Sequence, residues 1–257
     1  MKPSFLNHSR PLITSMIIKD NPDDTRYAIK NSIYEGADAV AVQLENWKDE
    51  FRTEENYKTV FAAAGQRPIY VTCYRNSGLD DEGCMEQLKL ALKCGGTLGD
   101  VPGDMFDKSK YDYTKNPVAI EKQMRVIDEI HEMGKEALMS CHVLEHLPEE
   151  QILEIAYEQQ RRGADVVKIV GGSNSYEELH DNLRITSLLK QELKVPFIFI
   201  SSGTHSKIHR MIGTQLGNFS YFAVLQHDGH AVPTQPTVRA AKHVRDYFDY
   251  LPDIIPE

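Results

Sequence analysis

Short, almost unbroken apolar runs recur eight times along the 257-residue chain, each followed by a stretch with helical spacing. They lie at 12–17, 39–44, 68–73, a weaker run at 97–101, then 137–141, 166–170, 196–200 and 221–225. Five or six consecutive apolar residues rich in Val and Ile suit a strand covered on both faces, and therefore a parallel sheet flanked by helices. Pro22-Asp23-Asp24 sets a Pro in a first turn with acidic side chains near the positive helix end. Pro148-Glu149-Glu150 repeats this before Ile152, Ile155, Ala156 and Gln159. Residues 177–193 and 237–250 also read as helices. Eight such units in about 250 residues match a (β/α)8 barrel, although an open doubly wound sheet shares the alternation. Gly36-Ala37-Asp38, leading into the second run, returns as Gly163-Ala164-Asp165 before the sixth. That is the offset of a half-barrel repeat, and equally the form of a common helix-to-strand connector. No linker or composition break divides the chain, so residues 1–257 are expected to form one domain.

Acidic residues (38) outnumber Lys and Arg (29), for a formal charge of -9. A nucleic-acid binder that neutralises phosphates carries the opposite balance. A few arginines in a cleft can still hold a small anion. The four cysteines at 73, 84, 94 and 141 form no CxxC and no metal-finger spacing, so neither a disulfide framework nor a zinc finger is expected. The first residues lack the apolar core of a signal peptide, and no apolar run approaches the roughly 18 residues that span a bilayer. The expectation is a cytoplasmic protein with neither a membrane nor a nucleic-acid partner.

Lys168 is the most informative residue. It sits inside Val166-Val167-Lys168-Ile169-Val170, where strand alternation puts Val166, Lys168 and Val170 on one face. An amine among apolar side chains must be paired or lose its proton, and a neutral amine adds to ketones to form a Schiff base. The bland alternative is a lysine that snorkels to water. His142 ends the preceding strand at what would be the C-terminal mouth of a barrel, one strand from Lys168, where an imidazole can give or take a proton. Arg75 follows the third strand and Arg210 the seventh, and either suits a bidentate carboxylate contact. A second class of reading uses His205 and His209, spaced i, i+4, with His227 and His230 as ligands of a divalent metal in a hydrolase or isomerase. A barrel that only binds a sugar or acid is a third class, but it leaves Lys168 unexplained. Gly171-Gly172-Ser173-Asn174 and Ser201-Ser202-Gly203 offer backbone N–H groups to an anion or are simply turns. Trp47 is either a packing residue or a site wall. The aromatic run 247–251 reads as a barrel-closing helix or an oligomer contact, a homodimer being one such assembly.

Ser140-Cys141-His142, the helix opening at Pro148, and Gly163 through Ile169 together resemble the type I 3-dehydroquinate dehydratases. So do the run 196–203, followed by Ile208, Arg210 and Gly213, and the segment Pro233-Thr234-Gln235. The resemblance is strongest over 136–236 and thinner, but collinear, from 12 to 107. It implies a (β/α)8 barrel without metal or organic cofactor that acts on a small keto acid. On this resemblance Lys168 forms an imine with the substrate ketone and His142 moves the protons that let water leave. Arg75, Arg210, Gln235, Ser202 and Gln43 match substrate-binding positions. The departures are concrete. The family's second strand carries Glu, Arg and Asp where this chain has Ala41, Gln43 and Glu45, and a glutamate after the third-strand arginine becomes either Leu79 or one of the acidic residues beside it. The fourth-strand acidic pair reads Asp100 and Pro102, the seventh-strand methionines become Ile200 and Ser202, and a serine near the glutamine becomes Ala231. Imine chemistry is thus better supported than the particular substrate, and imine-forming aldolases share its first step.

Overall fold

The computed structural model describes residues 2–249. Strands β1 (Leu12–Ile17), β2 (Ala39–Gln43), β3 (Ile69–Thr72), β4 (Leu98–Pro102), β5 (Glu136–His142), β6 (Val166–Gly172), β7 (Phe197–Ser202) and β8 (Ser220–Ala223) form one sheet. They alternate with α1 (Pro22–Tyr34), α2 (Glu54–Ala62), α3 (Asp81–Lys93), α4 (Pro117–Glu132), α5 (Glu149–Arg161), α6 (Tyr176–Glu192), α7 (Ser206–Ile212) and α8 (Val238–Asp249). Residues 250 and 251 of the expected C-terminal helix and aromatic run lie outside the described residues.

Every pairing is parallel, and β1 pairs with both β2 and β8. The sheet therefore curls on itself, which sets aside the open doubly wound alternative and gives a nearly closed (β/α)8 barrel. Between β7 and β8 the seam is made by other means. The Phe219 N–H donates to Phe197 O at 2.8 Å, and the Asn218 side chain pairs with both the N–H and the C=O of Phe199, each at 2.7 Å.

Alternation divides the strand residues between two layers. Inward-facing Ala39, Ala41, Leu138, Val166, Ile198 and Phe222 pack one another in the barrel interior. Their neighbours, such as Val40, Val71, Met139 and Ile169, pack outward against the helices. Trp47 belongs to the outer core, its Nε1 donating to Thr25 Oγ1 at 3.2 Å, and is a packing residue rather than a site wall.

The repeated Gly-Ala-Asp connector performs one task twice. Asp38 accepts the Ile13 N–H of β1 at 2.9 Å, while its own N–H donates to Ile13 O. Asp165 makes the same pair of bonds with Ala137 of β5, both at 2.8 Å. Arg245 neutralises the first carboxylate and His131 bonds the second. In both half-barrels a strand start that has no partner on the following strand is capped by the aspartate of the next connector.

Candidate active site

Lys168 points into the barrel from the middle of β6 and is 4% exposed. Its surroundings correct the expectation of an amine among apolar side chains. Nζ lies 3.2 Å from the Tyr70 hydroxyl, 3.2 Å from the Tyr74 hydroxyl and 3.4 Å from Asp100 Oδ2. Both phenols donate to that same Asp100 oxygen, Tyr74 at 2.5 Å, and Ser140 donates to Oδ1 at 2.6 Å. The three N–H groups of an ammonium thus find three acceptors, and Asp100, fully buried, finds four donors. Burial, reinforced by Asp100, holds the phenols of Tyr70 and Tyr74 well above their ordinary pKa, so both stay protonated. The ring of Phe222 covers the amine from β8, 5.7 Å from Nζ.

His142 ends β5. Ser140 is in register with Lys168 and His142 with Val170, so the imidazole stands one inward-facing step nearer the mouth on the adjacent strand. From strand geometry the two Cα atoms are on the order of 8 Å apart, close enough for both side chains to reach one small molecule. Nδ1 of His142 is 2.8 Å from Asp112 Oδ2, and its ring meets that of Tyr74 edge-on at 5.8 Å. Asp112 belongs to the loop between β4 and α4, where Tyr111 and Asp112 both hold left-handed φ angles of 68° and 50°. Side chains other than Gly seldom adopt that conformation, and here it carries the carboxylate to the imidazole. Among the described residues no hydrogen-bond partner takes Nε2, an atom able to give or take a proton.

Arg210 is buried, and its Nε donates to Ser201 O at 2.7 Å. No carboxylate pairs with it among the described residues, and burial lowers its pKa to about 10. A buried guanidinium without an anion suits a substrate carboxylate. Gln235 is also buried, with its Oε1 unpartnered. Ser202 Oγ donates to Gly171 O at 3.0 Å, and Gln43 is half-buried at the end of β2. Glu45, just beyond β2, accepts from Thr72 Oγ1 at 2.9 Å, and burial raises its pKa to about 7. It also feels the charges of Asp100 and Lys168.

Arg75 is not brought into this group. Its guanidinium grips both carboxylate oxygens of Asp81, at 2.6 and 2.8 Å, and Asp104 Oδ1 at 2.8 Å. The bidentate clamp expected of it is spent within the protein. The inward row of this strand and its extension is Tyr70, Thr72 and Tyr74, so Arg75 is one residue out of phase. Tyr70, Tyr74 and Asp112 were missed from sequence. Period-two alternation back from Tyr74 was the available signal for the tyrosines, and none marked Asp112.

The histidine group separates. His205 precedes α7 rather than sharing a face with His209, which is buried between Ser201 and Thr186 and held neutral with a pKa lowered to about 3. His227 Nε2 lies 2.9 Å from Gln235 O. Among the described residues no group of three or more His, Cys, Asp or Glu side chains is arranged to hold a metal ion. In the Gly171–Asn174 stretch the N–H groups of Gly172, Ser173 and Asn174 are taken by Glu145, Ser202 and Glu178; Gly171 and Gly172 end β6 in register with Ser201 and Ser202, and Ser173 and Asn174 lead on to α6. No helix among the described residues is long and apolar enough to cross a membrane.

The fold is shared with the 3-dehydroquinate dehydratase of Geobacillus kaustophilus, with a TM-score of 0.80 at 18% identity over 95% of this chain and 93% of that one. In sequence, the chain is 30% identical over 125 residues to the 3-dehydroquinate dehydratase of Alkaliphilus oremlandii, 48% of each chain. It is 28% identical over 137 residues to that of a Hydrogenobaculum species, covering 52% of this chain and 61% of the relative. These alignments span about half of the first relative and three fifths of the second. The family model for type I 3-dehydroquinase matches residues 16–251, nearly the whole barrel. With that match running from β1 through α8, the chain belongs to the type I 3-dehydroquinase family.

Proposed function

We propose that this chain is a Schiff-base-forming carbon–oxygen lyase that removes water from a hydroxy-ketone acid, with 3-dehydroquinate as the leading substrate. The observation that carries the reading is the lysine amine inside the barrel with a carboxylate-oriented imidazole one strand away. The Lys168 amine condenses with the ketone, and the resulting iminium acidifies the adjacent C–H. His142 removes that proton through Nε2 and, as imidazolium, protonates the departing hydroxyl. Arg210 holds the substrate carboxylate, and Gln235, Ser202 and Gln43 contact its hydroxyls. The family resemblance ascribes no metal or organic cofactor to these steps. The proposed substrate is a small keto acid, the proposed setting the cytoplasm, the proposed domain 1–257, and a homodimer is the assembly that a sedimentation measurement would test.

One observation favours a second substrate. The inward row of β2 reads Ala39, Ala41 and Gln43, which removes charged partners for hydroxyl or carboxylate groups. The same imine chemistry on another keto acid, including aldol cleavage, fits that loss.

Borohydride reduction in the presence of 3-dehydroquinate and a panel of keto acids and keto sugars tests both readings. Intact mass and peptide mapping should show one adduct, on Lys168, and the trapped compound identifies the substrate. An absence of any adduct at Lys168 across the panel would sink the imine reading. So would turnover that survives Lys168→Arg but not Lys168→Ala.

A further inference from the structure

Condensation requires that Lys168 lose a proton before it attacks and that the carbinolamine oxygen gain one before it leaves. His142 stands one inward-facing step nearer the mouth with no contact to Nζ, so the groups touching Nζ are the candidates for both tasks. We propose that Tyr74 is a catalytic residue of imine formation, relaying a proton from Lys168 Nζ to Asp100 and returning it to the carbinolamine hydroxyl. This rests on the imine reading above.

The geometry is that of a relay in place. Tyr74 O lies 3.2 Å from Nζ as an acceptor and 2.5 Å from Asp100 Oδ2 as a donor. An N–H bond of Lys168 breaks as an O–H bond forms on Tyr74, whose own proton passes to Asp100. The freed lone pair attacks the carbonyl carbon, and proton exchange gives a neutral carbinolamine. The relay then runs backward. Asp100 re-protonates Tyr74, Tyr74 protonates the carbinolamine hydroxyl, the C–O bond breaks and water departs. The ammonium and ketone have become an iminium and one water, and Asp100 is a carboxylate again, facing the new cation.

Tyr70 touches the same atoms but is fully buried beneath the amine, whereas Tyr74 is half-buried toward the mouth where a substrate oxygen arrives. A phenol this reluctant to ionise passes a proton only by gaining one as it gives one, which the Asp100 contact provides. The other titratable groups facing this cluster are Glu45 beyond β2 and His142 on β5. β7 and β8 contribute apolar Ile198, Ile200 and Phe222.

The experiment is rapid-quench borohydride trapping of wild type and Tyr74→Phe with 3-dehydroquinate, reading adduct mass at Lys168 against time from about pH 6 to 9. We expect Y74F to form adduct at least about tenfold more slowly near neutral pH. The gap should narrow as pH rises and hydroxide takes over the proton transfer, and the final trapped fraction should be unchanged. A wild-type rate throughout overturns the relay, and so does a loss independent of pH, which is what a merely structural hydroxyl would give. If wild type itself traps nothing with 3-dehydroquinate or with any other compound of the panel, the imine reading falls and the relay with it. If wild type traps and Y74F is indifferent, only the relay falls. Should Y74F not fold, site-specific 3-fluorotyrosine at position 74 keeps the hydroxyl but makes it more acidic. The trapping rate near neutral pH must then change severalfold with the final trapped fraction unchanged, and an unaltered rate overturns the proposal.

Discussion

At the scale of single residues, the useful comparison is between Lys168 and Asp112. A lysine flanked by two apolar residues on each side breaks a local rule, and functional sites are where such rules break, so Lys168 was legible. Its partners were less so, because Arg75 drew attention by its chemistry while strand phase turned Tyr74 inward instead. Asp112 had no local signal at all, since its role depends on a loop conformation fixed from elsewhere. As a positioning residue it should be testable cleanly: Asn tolerates left-handed φ, so Asp112→Asn keeps the backbone and removes only the charge. We expect kcat to fall about 10²-fold, the low end for a positioned acid–base group, with KM and borohydride trapping little changed. Unaltered kcat would remove Asp112 from the mechanism. Glu45 gives a pH signature. Its pKa rises on folding from 4.5 to about 7, so in that window the fold keeps a proton that the unfolded chain has released. Stability therefore falls as pH rises from 4.5 to 7, by about 3 kcal/mol at most, and the penalty persists above 7. Gln can still accept from Thr72. Glu45→Gln should match wild type near pH 4.5 and exceed it at pH 8 in denaturant melts, and parallel curves would contradict the shift.

Elements were read with uneven success for a physical reason. Strand runs and helix starts are encoded by their own residues, so β1 was read to the residue and the others within a few. The connection between β4 and α4 is encoded by contacts. Arg162, buried at the end of α5, donates to Gly103 O at 2.9 Å and to Thr114 O at 2.7 Å, tying both ends of that loop. Cys141 donates from its thiol to Asp112 O at 2.9 Å, alongside the imidazole that Asp112 holds. Gly103 permits this approach, because a Cβ there would lie 2.7 Å from Asp112 O and 2.8 Å from Cys141 Sγ. Gly103→Ala should push the loop off β5, costing about 1–3 kcal/mol in chemical denaturation. Its kcat loss should resemble that of Asp112→Asn, and combining the two should add little further, since both act through His142. Multiplicative losses in kcat would show that Gly103 acts by another route.

For the whole molecule, the barrel depends on how its last edge is joined. Seven of eight strand junctions are ladders, and the eighth, between β7 and β8, rests on the Phe219–Phe197 bond and the side chain of Asn218. Sequence periodicity made eight strands legible but said nothing of this junction, since an asparagine before a strand looks like any turn residue. Asn218 serves as a substitute strand residue for Phe199, one donor and one acceptor, in a buried place where water is no substitute. Asn218→Ala leaves the N–H and C=O of Phe199 unpaired, at about 1–3 kcal/mol each, a large share of a single domain's stability. The strain would not stay local. β7 carries Ser201, whose carbonyl holds Arg210 and whose hydroxyl bonds His209, so a loosened seam also loosens the proposed carboxylate site. Hydrogen exchange should therefore show the first loss of protection along β7 and β8, with β4 and β5 protected until global unfolding. Substrate KM should rise before kcat changes, because Arg210 moves while Lys168 and His142 keep their partners on β3, β4 and the β4–α4 loop. Equal loss of protection around all eight strands would mean that the seam is no weaker than the ladders, and that the barrel opens only as a unit.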